Sequence, residues 1–288
     1  MNDVQDSWGP EDERGMLNAL DAPTVLAALR SADQGRIIEL GQPLGPRTPV
    51  APHRPSISRF MNRDGGDYAA GGKRPGGFQF AEDTFLLPTH TGTHVDALAH
   101  AWHDDELYNG FPGDGIRSTT GAQRCGADKL GAIIGRGVLV DLAADVPLEA
   151  GEAVTAEDVQ GTLARAGTEL RRGDVVLLHT GWLERYGAQP DLYFMQEPGL
   201  DVEGARWLAD QGVAAVGADN AAVEQIPFPG GEVFPVHQLL IRDRGIPLIE
   251  GLVLSELART GATSFLFIAL PLKLEGGTAS PLAPVAVL

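Results

Sequence analysis

The residues best suited to chemistry lie at positions 89–103, Thr-His-Thr-Gly-Thr-His-Val-Asp-Ala-Leu-Ala-His-Ala-Trp-His. Of the seven histidines in the chain, His90, His94, His100 and His103 fall here, together with Asp96. Imidazole is a common metal ligand, and imidazole with carboxylate suits zinc or manganese. His90, His94 and Asp96 are therefore the candidate ligands of a divalent ion. Two histidines and one aspartate leave coordination positions open, as a catalytic site requires. His100 is a further ligand or a general base, since its ordinary pKa near neutrality suits proton transfer. His103 reads as a capping or solvent-facing residue, and His53, set among prolines, as a loop residue.

Local geometry follows from the spacing. Pro88, Gly92 and the neighbouring threonines argue against a helix through His90 and His94. A straight strand would put 90, 92, 94 and 96 on one face, but would spread them over roughly 20 Å at about 3.3 Å per residue. The spacing predicts instead a bend at Gly92 that folds His90 back beside His94. His94 and Asp96 then project together from a short extended piece. Ala97-Leu-Ala-His-Ala reads as helix, placing His100 one turn from Asp96 on the same side.

The elements that must hold these residues are those of an α/β chain. Residues 1–21 read as a polar arm carrying a buried Trp8. Thr24 to Arg30 reads as a helix and residues 36–40 as a strand. Residues 64–77 are rich in glycine and read as a loop, either a mobile lid over the histidines or a surface excursion. From residue 138 strands and helices alternate. Strands are predicted at 138–142, 174–179, 213–217, 246–250 and 264–269. Helices are predicted from a cap at Thr155, over 201–211 with Gly212 as the stop, and over 236–244. Short apolar strands between helices indicate an α/β core. With no internal repeat and no linker, residues 1–288 read as one domain.

His90-x-Gly92-Thr93-His94-x-Asp96-x-x-x-His100 resembles the signature of the cyclase family of metal-dependent hydrolases, which includes bacterial kynurenine formamidases and isatin hydrolases. The likeness extends to Trp8-Gly9-Pro10-Glu11-Asp12-Glu13-x-Gly15-x-Leu17-Asn18, to Leu107-Tyr108-Asn109-Gly110, to Leu178-His179-Thr180-Gly181-Trp182 and to Leu248-Ile249-Glu250-Gly251-Leu252. Many members carry proline where this chain has Leu98. That difference and the Trp-Gly-Pro arm place the chain nearer the isatin-hydrolase-like branch. The resemblance implies a single-domain β/β/α fold with a mixed, strongly curved sheet and peripheral helices. It also implies that His100 stands beside the reacting water as the catalytic base. His237 and Glu250 complete a second metal position, with Asp96 bridging, or else support the first from outside. The branch favours a single zinc or manganese ion on His90, His94 and Asp96, with His237 and Glu250 shaping the pocket. His179 and Trp182 are candidates either for the substrate pocket, because strand ends in such sheets often point into sites, or for a place in the core.

Composition narrows the partners. With 22 basic and 39 acidic residues the formal charge is −17, which repels phosphate backbones and anionic membranes. Nucleic acid and membrane are therefore not expected. No apolar run reaches transmembrane length. Met1 to Asp6 lacks the basic and apolar regions of a signal peptide. A single cysteine, Cys125, allows no internal disulfide framework. Together these favour the cytoplasm, and a homo-oligomer, dimer or tetramer, is expected. There is no Gly-x-Ser-x-Gly elbow and no His-Glu-x-x-His helix. The function expected is metal-dependent hydrolysis of a small amide, lactam or ester. A metal-dependent lyase or cyclase acting on a small carbonyl compound is the alternative, and a non-catalytic metal-binding protein stands behind both.

Overall fold

Val138, Val140, Val176, Leu178 and Val216 pack into one apolar cluster, while Leu139, Val175, Leu177 and Ala215 pack into another. Successive strand residues point to opposite faces, so these two clusters are the two sides of one sheet. A sheet covered on both faces needs near-continuous apolar strands, which is how 138–140 and 175–178 read. The computed structural model describes residues 8–185 and 189–288. Its main sheet has nine strands. Their spatial order is Ile37–Glu39, Val285–Val287, Ser264–Ala269, Ile133–Asp141, Val175–His179, Ala215–Ala218, Leu248–Glu250, His94–Asp96 and Ala279–Pro281. The four strands from Ile133–Asp141 to Leu248–Glu250 run parallel, and every other pairing is antiparallel. The mixed sheet curls into a half-barrel, as expected of the fold.

Helices lie where sequence signals place them. Asp21 caps Ala22–Leu29 by accepting from the Thr24 N–H. Thr155 and Asp158 form a capping box on Ala156–Arg165. Asp201 caps Val202–Asp210, and Gly212 follows at φ +74°. The helix predicted over 236–244 is less regular. A short turn, Pro235–His237, runs into a π-helical stretch, Gln238–Asp243. Such widened turns often occur at functional sites.

One further segment differs from the sequence reading. Residues 64–77 are the tip of a two-stranded ribbon, Ser58–Arg63 against Glu82–Leu86, and carry the short helix Gly65–Ala69. Asp64 and Asp67 supply that helix with a capping box, which outweighs its glycines. From Trp8 onward the arm wraps a neighbouring surface, as its residues suggest; residues 1–7 lie outside the described residues. Trp8 is half-buried and carries the Arg172 guanidinium over its ring. Asp12 accepts from the Asn18 side chain and the Tyr108 hydroxyl, while the Asn109 amide donates to the carbonyls of Gly9 and Asp12. Among the described residues no helix is long and apolar enough to cross a membrane.

The arm also braces the strand that carries Glu250. Gly15 sits at φ +60°, and a Cβ there would lie 2.1 Å from the Gly245 carbonyl oxygen. That carbonyl accepts the Met16 N–H at 2.8 Å. Gly15→Ala adds both a strained φ and a backbone clash. It is expected to destabilise the fold by about 1–3 kcal/mol, read as a lower urea midpoint at unchanged slope.

Candidate metal centre

The centre forms where the parallel strands meet the antiparallel strand His94–Asp96. In the register of that pair, Glu250 lies directly opposite His94 and Ile249 opposite Val95. Directly opposite residues share a face, so His94, Asp96 and Glu250 project to one side while Val95 and Ile249 enter the core. The predicted bend is present. Gly92 sits at φ +60°, and a Cβ there would press on Leu44 and Thr48 at 2.8 and 2.9 Å. The bend brings the His90 and His94 ring centroids to 5.3 Å. Residues 97–100 form a turn rather than the expected helix, closed by the His100 N–H on the Ala97 carbonyl. The carbonyl of Cys125 takes the Ala99 N–H, which removes that donor from any helical pattern. The turn nevertheless places His100 Nε2 3.7 Å from Asp96 Oδ2.

Asp96 is the hub. Its side chain is fully buried, and although His90 Nδ1 comes within 2.7 Å, no donor meets either oxygen with good hydrogen-bond geometry. Oδ1 faces His90 Nδ1 at 2.7 Å and His94 Nε2 at 3.6 Å; Oδ2 faces His100 Nε2 and His237 Nε2, each at 3.7 Å. Glu250 spans the same two pairs, with Oε2 3.1 Å from His94 Nε2 and Oε1 3.3 Å from His237 Nε2. His237 and Glu250 therefore aim donor atoms at the cluster itself and do more than shape a pocket around it. The far nitrogens are already engaged. His94 Nδ1 lies 2.9 Å from the Gly92 carbonyl, and His90 Nε2 lies 3.1 Å from Thr278 Oγ1. His237 Nδ1 lies 2.5 Å from Glu224 Oε1. Such outer partners fix ring orientation and leave the inner nitrogen to a metal.

The donor set fits a divalent cation. His90 Nδ1 and His94 Nε2 are buried and, like the Asp96 oxygens, lack hydrogen-bond partners. Unpaired buried polar atoms are costly; a cation would satisfy all four. The ligand atoms of His90, His94 and Asp96 lie within 4.8 Å of one another, as do those of Asp96, His100 and His237. Burial alone would raise the Asp96 carboxyl, but the imidazoles of His100, His90 and His94 hold it far below the usual range. Burial draws His100 down to about 4 despite the attraction of Asp96, with His90 and His237 adding to the fall. Burial opposes protonation of His237, yet its bonds to Glu224 and Glu250 carry it up to about 10.

Glu224 was not visible from the sequence. It also accepts the backbone N–H groups of Val236 and His237, seating the turn that carries the imidazole. Val223 beside it has φ +62° and Phe234 φ +52°, conformations that are outliers for such side chains and that no residue pattern announces.

His179 and Trp182, expected at the pocket, sit elsewhere. His179 Nδ1 lies 2.7 Å from Asp141 Oδ1, in a separate recess with Glu184 and Ser255. Trp182 is fully buried and donates from Nε1 to the Tyr193 carbonyl, behind the wall instead of in it. Asp219 draws this turn inward by accepting from the Thr180 N–H, the Thr180 hydroxyl and the Gly181 N–H. His103 is held between Asp104 and Asp243 at 2.9 Å each, away from the cluster. His53 does reach a cavity wall. Burial pushes the Cys125 thiol up to about 12, which leaves it unreactive.

A cavity of about 300 Å³ opens beside the cluster. Its wall includes His100, His237, Glu250, Phe194, Met195, Ile226 and Phe234. No residue of 64–77 belongs to this wall, so the expected lid has no contact with the cavity in this arrangement.

A family profile described as putative cyclase matches residues 38–225. The chain belongs to the cyclase family. Among curated relatives, the isatin hydrolase of Roseibium aggregatum is 26% identical over 277 residues, covering 94% of this chain and 98% of that protein. The kynurenine formamidase of Salinibacter ruber is 30% identical over 199 residues, covering 69% of this chain and 76% of its own length. A crystal structure described as a novel cyclase superposes with a TM-score of 0.91 at 33% identity, covering 98% of this chain and 96% of that one. An isatin hydrolase bound to the product analogue thioisatinate shares the fold, with a TM-score of 0.67 at 22% identity and coverage of 93% and 99%. The motif of this chain that resembles the family signature, His90 to His100, lies at the buried cluster of donor atoms that could hold a metal ion.

Asp96→Asn keeps size and burial but removes the charge that holds a cation. Metal analysis after dialysis is expected to show loss of bound ion, while circular dichroism stays that of the parent. Full retention of metal by this variant would contradict the assignment.

Proposed function

We propose that this chain is a divalent-metal-dependent hydrolase of small amides, lactams or esters. The observation that carries this reading is a cage of four imidazoles and two carboxylates at the wall of an apolar cavity. His90, His94 and Asp96 would hold one ion; His237, Glu250 and the second oxygen of Asp96 would hold another. A divalent ion in such a position polarises a carbonyl and acidifies water, and zinc or manganese suits the donors.

The chain's own groups supply the rest. His100 has the most accessible side chain of the four, 26% exposed against 11%, 5% and 4% for His90, His94 and His237. It lines the cavity and is held neutral, so its Nε2 is free to take a proton from an attacking water. The same nitrogen then returns the proton to the leaving nitrogen or oxygen. Phe194, Met195, Ile226 and Phe234 give an apolar wall suited to a small, flat substrate. The similarity to isatin hydrolase and kynurenine formamidase supports attack at an amide or lactam carbonyl.

Metal-loaded protein is expected to hydrolyse isatin, N-formylkynurenine or a simple lactone, to fall silent after chelation, and to recover with zinc or manganese. His100→Ala is expected to lower kcat about 10²–10⁴-fold at unchanged metal content; loss of an ion would make His100 a ligand instead of a base. The unaltered chain is expected to bind two ions, and His237→Ala one. A single ion in both would leave only the His90, His94 and Asp96 position.

The same proposal includes self-association. Both faces of the 58–63/82–86 ribbon are solvent-facing, with Phe60 58%, Met61 49%, Phe85 40% and Leu86 63% exposed. Isolated two-stranded ribbons are marginal without a packing partner. From residue 47 to 86 the ribbon and its base carry Arg47, Arg54, Arg59, Arg63, Lys73 and Arg74 against Asp64, Asp67, Glu82 and Asp83, a local excess of positive charge (6 − 4 = +2) on a chain whose net charge is −17. A second, acidic copy of the chain is therefore the partner that complements it. Light scattering should give at least twice 30.4 kDa for the parent, and a monomer for the double change Phe60→Asp and Leu86→Asp. A monomeric parent would overturn this.

A further inference from the structure

Arg54 stands apart from the other basic residues of its segment, because its guanidinium reaches the cage. Nη1 donates to the His90 carbonyl at 2.6 Å. The backbone that presents it is stiff. Ala51, Pro52, His53 and Arg54 form a turn, closed by the Arg54 N–H on the Ala51 carbonyl at 2.9 Å, with proline at the position that favours such turns. Pro55 follows and disfavours helical backbone at Arg54. The side chain is half-buried and borders two hollows. One is the cavity of about 300 Å³ beside His100 and His237. The other is a recess of about 20 Å³ between Arg54 and the residues His90, His94 and Glu250, with room for one small group. Ala51, Arg54, Phe194, Ala221 and Glu250 line both, so Arg54 stands at their junction.

Among the described residues no other lysine or arginine lines either hollow, and no carboxylate forms an ion pair with Arg54. The two acids of the wall are engaged elsewhere: Glu250 faces His94 and His237, and Glu197 accepts the Ala221 N–H. A guanidinium carries five N–H donors, and the His90 carbonyl takes one of them, at Nη1. The edge formed by Nε and Nη2, two parallel donors, has no protein partner among the described residues. That edge matches a carboxylate, which arginine binds through two hydrogen bonds at once. Phe194 and Phe234 in the wall lower the local dielectric, which strengthens such a pair relative to water. The anchor on His90 and the proline-framed turn hold the fork at a fixed offset from the metal ligands, so little ordering remains for a ligand to impose.

We infer that Arg54 is a specificity-determining residue that binds a carboxylate on the substrate, separate from the carbonyl that is hydrolysed. This rests on the hydrolase reading for the word substrate; the contact itself requires only binding. The substrate class narrows to small amides, lactams or esters that also carry an acid group. The scissile carbonyl lies toward the cage and the acid toward the Nε and Nη2 edge. A neutral analogue of the same shape forfeits the pair and leaves the fork unmatched, which is how a site built for a polar group rejects ligands that lack it.

The test is calorimetric binding to zinc-loaded protein. The probes are phthalate, isophthalate and terephthalate, each paired with its half-amide, in which a carboxamide of the same shape replaces one carboxylate. The carboxylate common to both members of a pair can meet the metal, so their difference reads the second group alone. The parent should bind at least one dicarboxylate about 10–100-fold more tightly than its half-amide, the range of a charge-assisted hydrogen bond. Arg54→Met should bind the two members of each pair within about threefold of one another, at unchanged metal content. Arg54→Lys keeps a charge and a donor for the His90 carbonyl but lacks the fork, and should show less preference than the parent. A crystal structure of the parent with the preferred dicarboxylate needs no variant: one carboxylate should lie against Nε and Nη2 of Arg54. No preference in the parent, a preference kept by Arg54→Met, a parent-like preference in Arg54→Lys, or both carboxylates lying away from Arg54 would each overturn the inference. Failure of the hydrolase reading alone would appear differently, as an intact dicarboxylate preference without turnover of any amide, lactam or ester.

Discussion

The structure turns on one electrostatic requirement. A carboxylate with both oxygens buried and unpaired cannot persist beside other buried acids unless positive charge sits next to it. Asp96 faces four inward-pointing imidazole nitrogens and shares them with Glu250, so the donors converge where a cation would meet that requirement. The surrounding elements answer to this hub. The strand pairing sets Glu250 opposite His94, the Gly92 bend returns His90, the 97–100 turn returns His100, and Glu224 fixes the turn that presents His237.

Part of this was legible in the residues alone. The period of a strand is two, so His94-x-Asp96 had to share a face, and Gly92 was the only position able to fold His90 back at low cost. The alternating apolar strands from 138 to 178 were equally plain, because a sheet buried on both faces leaves an unmistakable apolar run. The His100 turn was read as helix for a good local reason, alanine and leucine being strong helix formers. It was overridden when the Ala99 N–H went to the Cys125 carbonyl, a contact across 26 residues that no window of sequence contains.

Another part of the site was not legible, for a physical reason. Glu224 comes from an irregular segment whose course is set by backbone hydrogen bonds between residues 223–226 and 197–200. Acidic residues in such stretches look like ordinary loop surface. His179 and Trp182 misled in the opposite direction: a strand-end histidine and an aromatic neighbour suggest a pocket, but Asp219 binds their turn inward and turns Trp182 into packing behind Tyr193. His237 and Glu250 became candidates only through the family resemblance, since the chain separates them widely from the central motif.

That separation bears on how the protein comes to be made. The Thr93 hydroxyl reaches the Gly251 carbonyl across 158 residues, so the first half of the cage is synthesised long before the second. A chain growing from its amino terminus exposes His90, His94, Asp96 and His100 while the strand bearing Glu250 is still untranslated. In that interval the early half can meet any thiophilic or imidazole-seeking ion in the cell, with no finished cavity to exclude it. Selection of the metal is then a late event in biogenesis, made when the distant strand arrives and the two halves first face each other.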